Sequence, residues 1–320
     1  MNYTPHIVVV GSLNMDLVVE VPVIPRPGET VLGKNFATFP GGKGANQAVA
    51  AARLGARVSM IGRVGKDAFG DQLLASARAD GIDVTRVGRD EKAASGVAMI
   101  AVDVQGQNSI AVASGANFRL TAEHVRRAWA GLGQLDVLVM PLETPLETIA
   151  AAVSLARESG VKVILNPAPA RDLPLDLLAG IDVLAPNEPE TALLTGMPVG
   201  TGEESRAAAK KLLQLGVGSV VLTLGSRGAL VLDGAPSEDG GANAHFTLVP
   251  AHPVEVVDTT AAGDTFMGGL AVALGEGKTL VQAARFANAA ASLSVTKHGA
   301  QPSMPAREEV DLILQKRDER

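Results

Sequence analysis

Cysteine is missing from all 320 residues. Disulfides, thiolate metal sites and a cysteine nucleophile are thereby excluded, and a reducing compartment such as the cytoplasm is the matching expectation. Aromatic residues make up only 3% of the chain, with one Trp and one Tyr, too few to build stacking platforms for single-stranded nucleic acid. Basic residues do not dominate: 28 Lys and Arg stand against 34 Asp and Glu, a net charge of −6. A nucleic-acid binder would need clustered positive charge to displace phosphate counterions. No apolar run approaches the ~20 residues a membrane helix requires, and no basic region followed by a long apolar stretch opens the chain. The expectation is a soluble cytoplasmic protein with neither nucleic acid nor membrane as partner.

Several catalytic signatures are absent as well. There is no Gly-x-Ser-x-Gly elbow, so hydrolase chemistry has no support. The five His show no metal-ligand spacing. Lys43 is followed by Gly44 rather than Ser or Thr, which rules out a Walker A loop, and Gly11 is followed by Ser12-Leu13-Asn14 without the second glycine of a dinucleotide fingerprint.

What is present is an α/β rhythm in a chain that is 47% hydrophobic and long enough for a large core. Residues 7–10, 58–61, 137–140, 161–165, 183–185 and 220–224 read as short buried strands. Residues 45–54, 69–80, 146–158, 188–194, 203–215, 263–274, 280–295 and 307–315 read as helices, several stopped by glycine. Such spacing implies right-handed crossovers and a parallel sheet. Two segments break the rhythm. Residues 17–39 are extended and carry Pro22, Pro25 and Pro27; residues 96–113 are two apolar strands around Gln105-Gly106-Gln107. They read as a small β-sheet outside the main one, serving as a lid, with an ordinary edge extension as the alternative. The division that follows is an α/β body of residues 1–16, 40–95 and 114–320 with a β-lid of 17–39 and 96–113. Residues 236–243 read as a surface loop.

The chemistry-bearing segments lie at strand ends and helix starts. Pro40-Gly41-Gly42-Lys43-Gly44-Ala45-Asn46 leads three glycines and a lysine into a helix. A plain strand-to-helix turn needs one glycine; three allow close approach of backbone to a polar or anionic ligand at free N–H groups. Asn14 and Asp16 fall on one face of an extended segment, suited to vicinal hydroxyls, though both are also common turn formers. Val257-Asp258-Thr259-Thr260-Ala261-Ala262-Gly263-Asp264 opens a helix whose small residues can present N–H groups to developing phosphoryl charge. Asp264 in that first turn can accept a proton from a hydroxyl held beside it, or can simply stabilise the helix start. With a reference pKa of ~3.9 it cannot ionise an alcohol beforehand and must take the proton late in phosphoryl transfer. Asn187-Glu188-Pro189-Glu190 follows a strand and can hold Mg²⁺ or merely cap a helix. Thr223-Leu224-Gly225-Ser226-Arg227-Gly228 is either a nucleotide-contacting loop or a hairpin, and Glu143 stands at another strand's C-terminal end.

Together these segments resemble the ribokinase-like carbohydrate kinases over nearly the whole chain, from Gly11-Ser12-Leu13-Asn14-Met15-Asp16 to Lys297-His298-Gly299-Ala300-Gln301-Pro302-Ser303. Asn166-Pro167-Ala168-Pro169-Ala170 adds a resemblance to the branch that phosphorylates D-ribose. The resemblance implies a Rossmann-like α/β fold, a mostly parallel central sheet flanked by helices, with a β-lid that also forms a homodimer contact. It implies ATP, Mg²⁺ and K⁺ as cofactors. Asn14, Asp16, Gly42, Lys43, Asn46 and Glu143 would bind the sugar. Ala261, Ala262 and Gly263 would form an anion hole, with Asp264 as the general base. Asn187, Thr223, Gly225, Ser226, Gly228, Gly263 and Asn288 would line the ATP site, and Glu190 would organise Mg²⁺ through water. Asp258, Thr260, Ser294, Lys297, Gly299 and Ser303 would surround K⁺, several through backbone carbonyls. The same chemistry serves 2-deoxyribose, another sugar or a nucleoside, although no aromatic residue stands near the motifs to receive a base. A sensor without turnover would not need Asp264, Gly263 and Lys43. Pro141, where the pattern expects a polar residue, and a longer 237–243 stretch depart from the family.

Overall fold

The computed structural model describes residues 3–234 and 245–318. The loop expected at 236–243 lies outside them. In chain order the strands are β1 (His6–Val10), β2 (Asn14–Glu20), β3 (Phe36–Gly41), β4 (Arg57–Gly65), β5 (Val87–Asp90), β6 (Gly96–Val102), β7 (Asn108–Ala113), β8 (Val137–Met140), β9 (Lys162–Leu165), β10 (Val183–Leu184), β11 (Ser219–Thr223), β12 (Ala229–Asp233) and β13 (His245–Val249). The helices are α1 (Lys43–Arg53), α2 (Ala68–Ala79), α3 (Ala122–Trp129), α4 (Leu146–Glu158), α5 (Leu175–Leu178), α6 (Glu188–Thr195), α7 (Gly202–Gln214), α8 (Ala262–Gly275), α9 (Leu280–Ser294) and α10 (Arg307–Asp318).

Strand β1, His-Ile-Val-Val-Val, shows how the sequence dictates the layering. All five residues are buried. Ile7 and Val9 enter one core, while Val8 and Val10 enter the other, as the two-residue period of a strand requires. A strand covered on both faces belongs inside a parallel sheet. The main sheet runs β13-β12-β11-β10-β9-β8-β1-β4-β5. Pairings from β5 to β11 are parallel; β12 and β13 join antiparallel. One core is closed by α1, α2, α8 and α9, the other by α3, α4, α5 and α7. This is the α/β architecture that the sequence leads one to expect.

A separate four-stranded sheet has the order β3-β2-β6-β7. Strand β2 pairs antiparallel with β3 and parallel with β6, and β6 pairs antiparallel with β7. Its polar alternation is weak, and large apolar side chains stand on its surface: Phe36, Met99, Ile110 and Val112 are each at least half exposed.

Some elements escape the sequence reading. Helix α3 has a single buried residue, Val125, so its apolar signal is faint. Its start is fixed instead by Thr121 and His124, which exchange backbone and side-chain bonds as a capping box with His in place of Glu or Gln. Strands β5 and β13 are short and half-exposed, with no run of apolar residues to announce them.

Close helix contact then sets the site. A Cβ added at Gly268 of α8 would stand 2.5 Å from Ala50 Cβ and 2.8 Å from Ala51 N of α1. Only glycine permits that approach. It brings the first turns of α1 and α8 side by side, at the end of the sheet where β1 and β8 run out.

Candidate active site

The start of α1 is built from three chain segments. Gly42, its N-cap, has φ +89°, and a Cβ there would lie 2.7 Å from Asn14 N. A Cβ at Gly41 would fall 2.4 Å from Asp16 Oδ2. Glycine at both positions lets the helix start press on β2. No acidic residue of its own stands in the first turn, so Glu143 supplies the charge. Lys43 N–H donates to Glu143 Oε2 at 3.0 Å, Ser12 Oγ donates to the same oxygen, and Gly44 N–H donates to Ser12 Oγ at 3.2 Å. Ser12 is a member of the site that its turn-forming neighbours concealed.

Asn14 opens β2 and is buried. Asn117 Nδ2 donates to Asn14 Oδ1 at 2.7 Å, while Asn117 Oδ1 accepts from Leu13 N–H at 3.0 Å. Asn117, almost fully buried and 103 residues away in sequence, thus orients the Asn14 amide. Asp16 faces the same cavity. Burial pushes its carboxyl up to about 7, with the Glu143 and Asp264 charges adding to the rise.

Helix α8 begins at Ala261, the one described non-glycine residue with positive φ, at +58°. A left-handed alanine costs about 1–2 kcal/mol, and such strain gathers at functional sites. The cap supplies no side chain, so the first-turn N–H groups are left to other partners. Ala262 N–H donates to Thr259 O at 3.2 Å.

Asp264, only 6% exposed, is gripped from α1. Asn46 Nδ2 donates to Oδ2 at 3.0 Å and Gln47 Nε2 donates to Oδ1 at 3.1 Å. Asn46 Oδ1 accepts from Gln301 Nε2 at 3.2 Å, Gln47 Nε2 also reaches Asn166 Oδ1 at 3.2 Å, and Asn166 Nδ2 donates to Ala185 O at 3.1 Å. An amide chain therefore runs through the carboxylate. Sequence reasoning assigns Gln47, Asn166 and Gln301 no role in the site; adjacency to Asn46 is the signal that points to Gln47. The Lys43 ammonium stands among Asp264, Glu143 and Glu190, and the Asp264 charge, the largest influence, holds it above the ordinary lysine range despite burial.

Three adjoining cavities meet here. One of about 440 Å³ is lined by Asn14, Asp16, Gly42, Lys43, Asn46 and Glu143. One of about 530 Å³ is lined by Thr223, Gly225, Ser226, Gly228, Gly263 and Asn288. A smaller one of about 250 Å³ holds Asn187 and Glu190 and shares Lys43, Ala261 and Asp264 with the first and Thr223, Ala262 and Gly263 with the second. The residues expected to bind sugar and those expected to bind nucleotide thus line one trench, with Asp264 where the first and the smallest cavity join. The first cavity also has an apolar wall of Ile100, Ile110, Val112 and Phe118, contributed by β6, β7 and the turn after them. Phe118 corrects the expectation that no aromatic stands near the motifs: the chain brings it there across more than 70 residues. Pro141 is not among the lining residues; it packs against Gly11, where a Cβ would meet its Cδ at 3.0 Å.

Glu190 and Asn187 cap α6 reciprocally: Asn187 N–H donates to Glu190 Oε2 and Glu190 N–H to Asn187 Oδ1, both at 2.8 Å. Burial raises the Glu190 carboxyl against that bond and the Lys43 charge. Behind the α8 start, Asp258 ties two loops: Oδ1 accepts from Thr260 N–H at 2.9 Å and Oδ2 from Gly299 N–H at 2.8 Å. Thr260 Oγ1 donates to Asp258 Oδ1 at 2.6 Å, whereas the side chains of Ser294, Ser303 and Lys297, also expected around K⁺, turn elsewhere. Ser294 and Ser303 donate to Ala291 O and Ala300 O, and Lys297 Nζ pairs with Glu309 at 3.0 Å. Among the described residues no cluster of three His, Asp or Glu side chains is placed to hold a metal.

This arrangement has known counterparts. Residues 4–307 match the model of the pfkB family carbohydrate kinases. A ribokinase of Haemophilus influenzae is 44% identical over 301 residues, covering 94% of this chain and 95% of the relative. A deoxyribokinase of Salmonella typhi is 38% identical over 309 residues, covering 96% and 98%. The solved structure of Arabidopsis thaliana ribokinase complexed with ribose and ATP superposes with a TM-score of 0.87 at 36% identity, covering 98% of this chain and 99% of that one. Family model, relatives and trench agree, and the chain belongs to the pfkB family of carbohydrate kinases.

Proposed function

We propose that this chain transfers the γ-phosphoryl group of ATP to the 5-hydroxyl of D-ribose, giving ribose 5-phosphate and ADP. The observation that carries the reading is the position of Asp264, buried and doubly hydrogen-bonded where the cavity of Asn14 and Asp16 meets that of Asn187 and Glu190. Asn14, Asp16, Gly42, Lys43, Asn46 and Glu143 hold the sugar hydroxyls. Asp264 accepts the proton of the attacking hydroxyl as the phosphoryl bond forms, because a free carboxylate is too weak a base to remove it earlier. Lys43 and the N–H groups of Ala261, Ala262 and Gly263 receive the developing charge; Ala262 must first release Thr259 O, a long bond of 3.2 Å. Asn187, Thr223, Gly225, Ser226, Gly228 and Asn288 line the adenosine and phosphate path.

Two cations fit the donor chemistry. Glu190, an acidic oxygen donor in the phosphate cavity, suits Mg²⁺ held through water and ATP phosphates, which neutralises phosphate charge. The loops stapled by Asp258 suit K⁺ held by Asp258, Thr260, Ser294, Lys297, Gly299 and Ser303, several through backbone carbonyls, which would fix the α8 start from behind. The apolar exposed surface of the small sheet supports a homodimer through it, and that sheet, as residues 17–39 and 96–113, serves as the lid. The absence of cysteine supports a cytoplasmic setting.

A second reading keeps the chemistry and changes the sugar to 2-deoxyribose, or to a bulkier riboside such as a nucleoside, for which the Ile100, Ile110, Val112 and Phe118 wall provides apolar contact. ADP release across a sugar panel, with Mg²⁺ and either K⁺ or Na⁺, separates the readings. Highest kcat/KM on D-ribose, stimulated by K⁺, is expected; turnover confined to another sugar or to nucleosides overturns the ribose assignment.

A further inference from the structure

Three arginines line a cavity that shares no lining residue with the catalytic trench. Arg63 of β4, Arg86 just before β5 and Arg127 of α3 line a cavity of about 280 Å³ with Thr85, His124 and Leu120. No carboxylate is among the lining residues, in a chain whose net charge is −6. Such a concentration of like charge is unfavourable unless something neutralises it.

The internal bonds do so only in part. Arg86 Nε is buried and donates to nothing, and Arg86 Nη2 reaches Gly131 O only at 3.4 Å. Buried donors are normally satisfied, so this one wants an acceptor. Asp83, whose carboxyl the Arg86 charge helps to hold down, already accepts on Oδ1 from Thr85 N–H at 2.9 Å and Thr85 Oγ1 at 2.6 Å. Arg127 makes a loose exposed pair with Glu123 at 3.4 Å. Arg63 is held firmly, by Asp90 Oδ2 at 2.8 Å and His124 Nε2 at 2.9 Å.

We propose that this cavity binds a phosphate group, free or carried by a small phosphorylated metabolite, on Arg86, Arg63 and Arg127. Guanidinium forks match the oxygens of a phosphate in charge and in geometry. The position makes occupancy felt at the small sheet. Asp90 Oδ2 also accepts from Arg119 at 2.9 Å, and Asp90 Oδ1 accepts from Lys92 N–H and Ala93 N–H at 2.8 and 2.9 Å. Residues 90–95 lead into β6, and Arg119 ends the turn after β7 that contains Asn117. An anion that draws on Arg63 therefore competes with the carboxylate that anchors both roots of the sheet.

The test is equilibrium dialysis of the full chain with radiolabelled inorganic phosphate, with the trench saturated by ribose and a non-hydrolysable ATP analogue. One phosphate per chain is expected to remain bound. Arg86→Gln is expected to weaken it about tenfold or more, the loss of one charge-assisted contact, with kinase activity in phosphate-free buffer unchanged. Arg127→Gln serves as the second variant should Arg86→Gln fold poorly. Displacement by sulfate and glycerol 3-phosphate alike identifies a bare oxyanion as the ligand; displacement by glycerol 3-phosphate at far lower concentration identifies a phosphate monoester. No phosphate retained once the trench is filled, or retention unaltered in both variants, overturns the site. Hydrogen exchange in residues 96–113 that ignores phosphate in the wild type overturns the coupling.

Discussion

Gln47 Nε2 donates to Asp264 Oδ1 at 3.1 Å, while its own Oε1 is buried without a partner. One amide hydrogen thus orients the carboxylate and the other reaches Asn166 Oδ1, at the expense of an unsatisfied oxygen. That cost marks Gln47 as a positioning residue for the proposed base. Gln47→Ala is expected to lower kcat by roughly 10²-fold, the scale of an ångström's misplacement, with KM for ribose nearly unchanged. Steady-state kinetics check this; an equal rise in KM with constant kcat would assign Gln47 to sugar binding instead.

Asp264→Asn tests the base directly. Turnover is expected to fall by ~10²–10⁴-fold while calorimetry still detects ribose binding. The asparagine can keep one of the two bonds from Asn46 and Gln47, so the fold should persist. Near-normal turnover in Asp264→Asn would remove the proposed role.

The cavity that holds Asp16 has a pH signature. Its carboxyl sits at about 7 because burial and the Glu143 and Asp264 charges disfavour the ionised form. A carboxylate accepts hydroxyl hydrogen bonds better than a carboxylic acid does. KM for ribose is therefore expected to fall several-fold as pH rises from 6 to 8, and Asp16→Asn should flatten that profile. The stability effect runs the other way: with a folded pKa above its unfolded value, Asp16 favours the folded state less as pH climbs from ~4 towards 7. Flat KM across this range in the wild type would show that Asp16 is already ionised.

Gly42→Ala probes the helix start. An alanine at φ +89° is strained, and its Cβ would press on Asn14 N at 2.7 Å. Destabilisation on the order of 1–2 kcal/mol from the backbone alone is expected, with further loss from the clash, read as a lower thermal midpoint. KM for ribose should rise with it, because Asn14 moves. An unchanged melting temperature would mean that the turn relaxes freely.

The proposed dimer is tested on the small sheet. Met99→Glu with Phe36→Glu places charge on exposed apolar side chains of one face of the sheet, the face opposite Ile100 and Ile110. Sedimentation is expected to show a monomer where the wild type is a dimer, since a buried like-charge contact is strongly unfavourable. Two monomers by sedimentation, wild type included, would remove the dimer.

Local chemistry wrote much of this protein into its sequence. The alternating apolar faces of β1, the glycines at 41, 42 and 44, and the small residues leading to Asp264 each act over a few neighbours, so periodicity and spacing expose them. Their physical reasons are short-ranged: strand alternation, a positive φ, free N–H groups at a helix start. What only the tertiary structure decided lies across long separations. Asn117 reaches Asn14, Phe118 joins the cavity of Asn14 and Asp16, and Gln47 meets Asp264 across 217 residues because Gly268 lets α8 press against α1. Arg63, Arg86 and Arg127 line one cavity only once the fold brings His124 of α3 to Arg63 of β4. Nothing in the order of residues encodes such meetings directly; they follow from which faces must be buried and how closely the backbones can then approach.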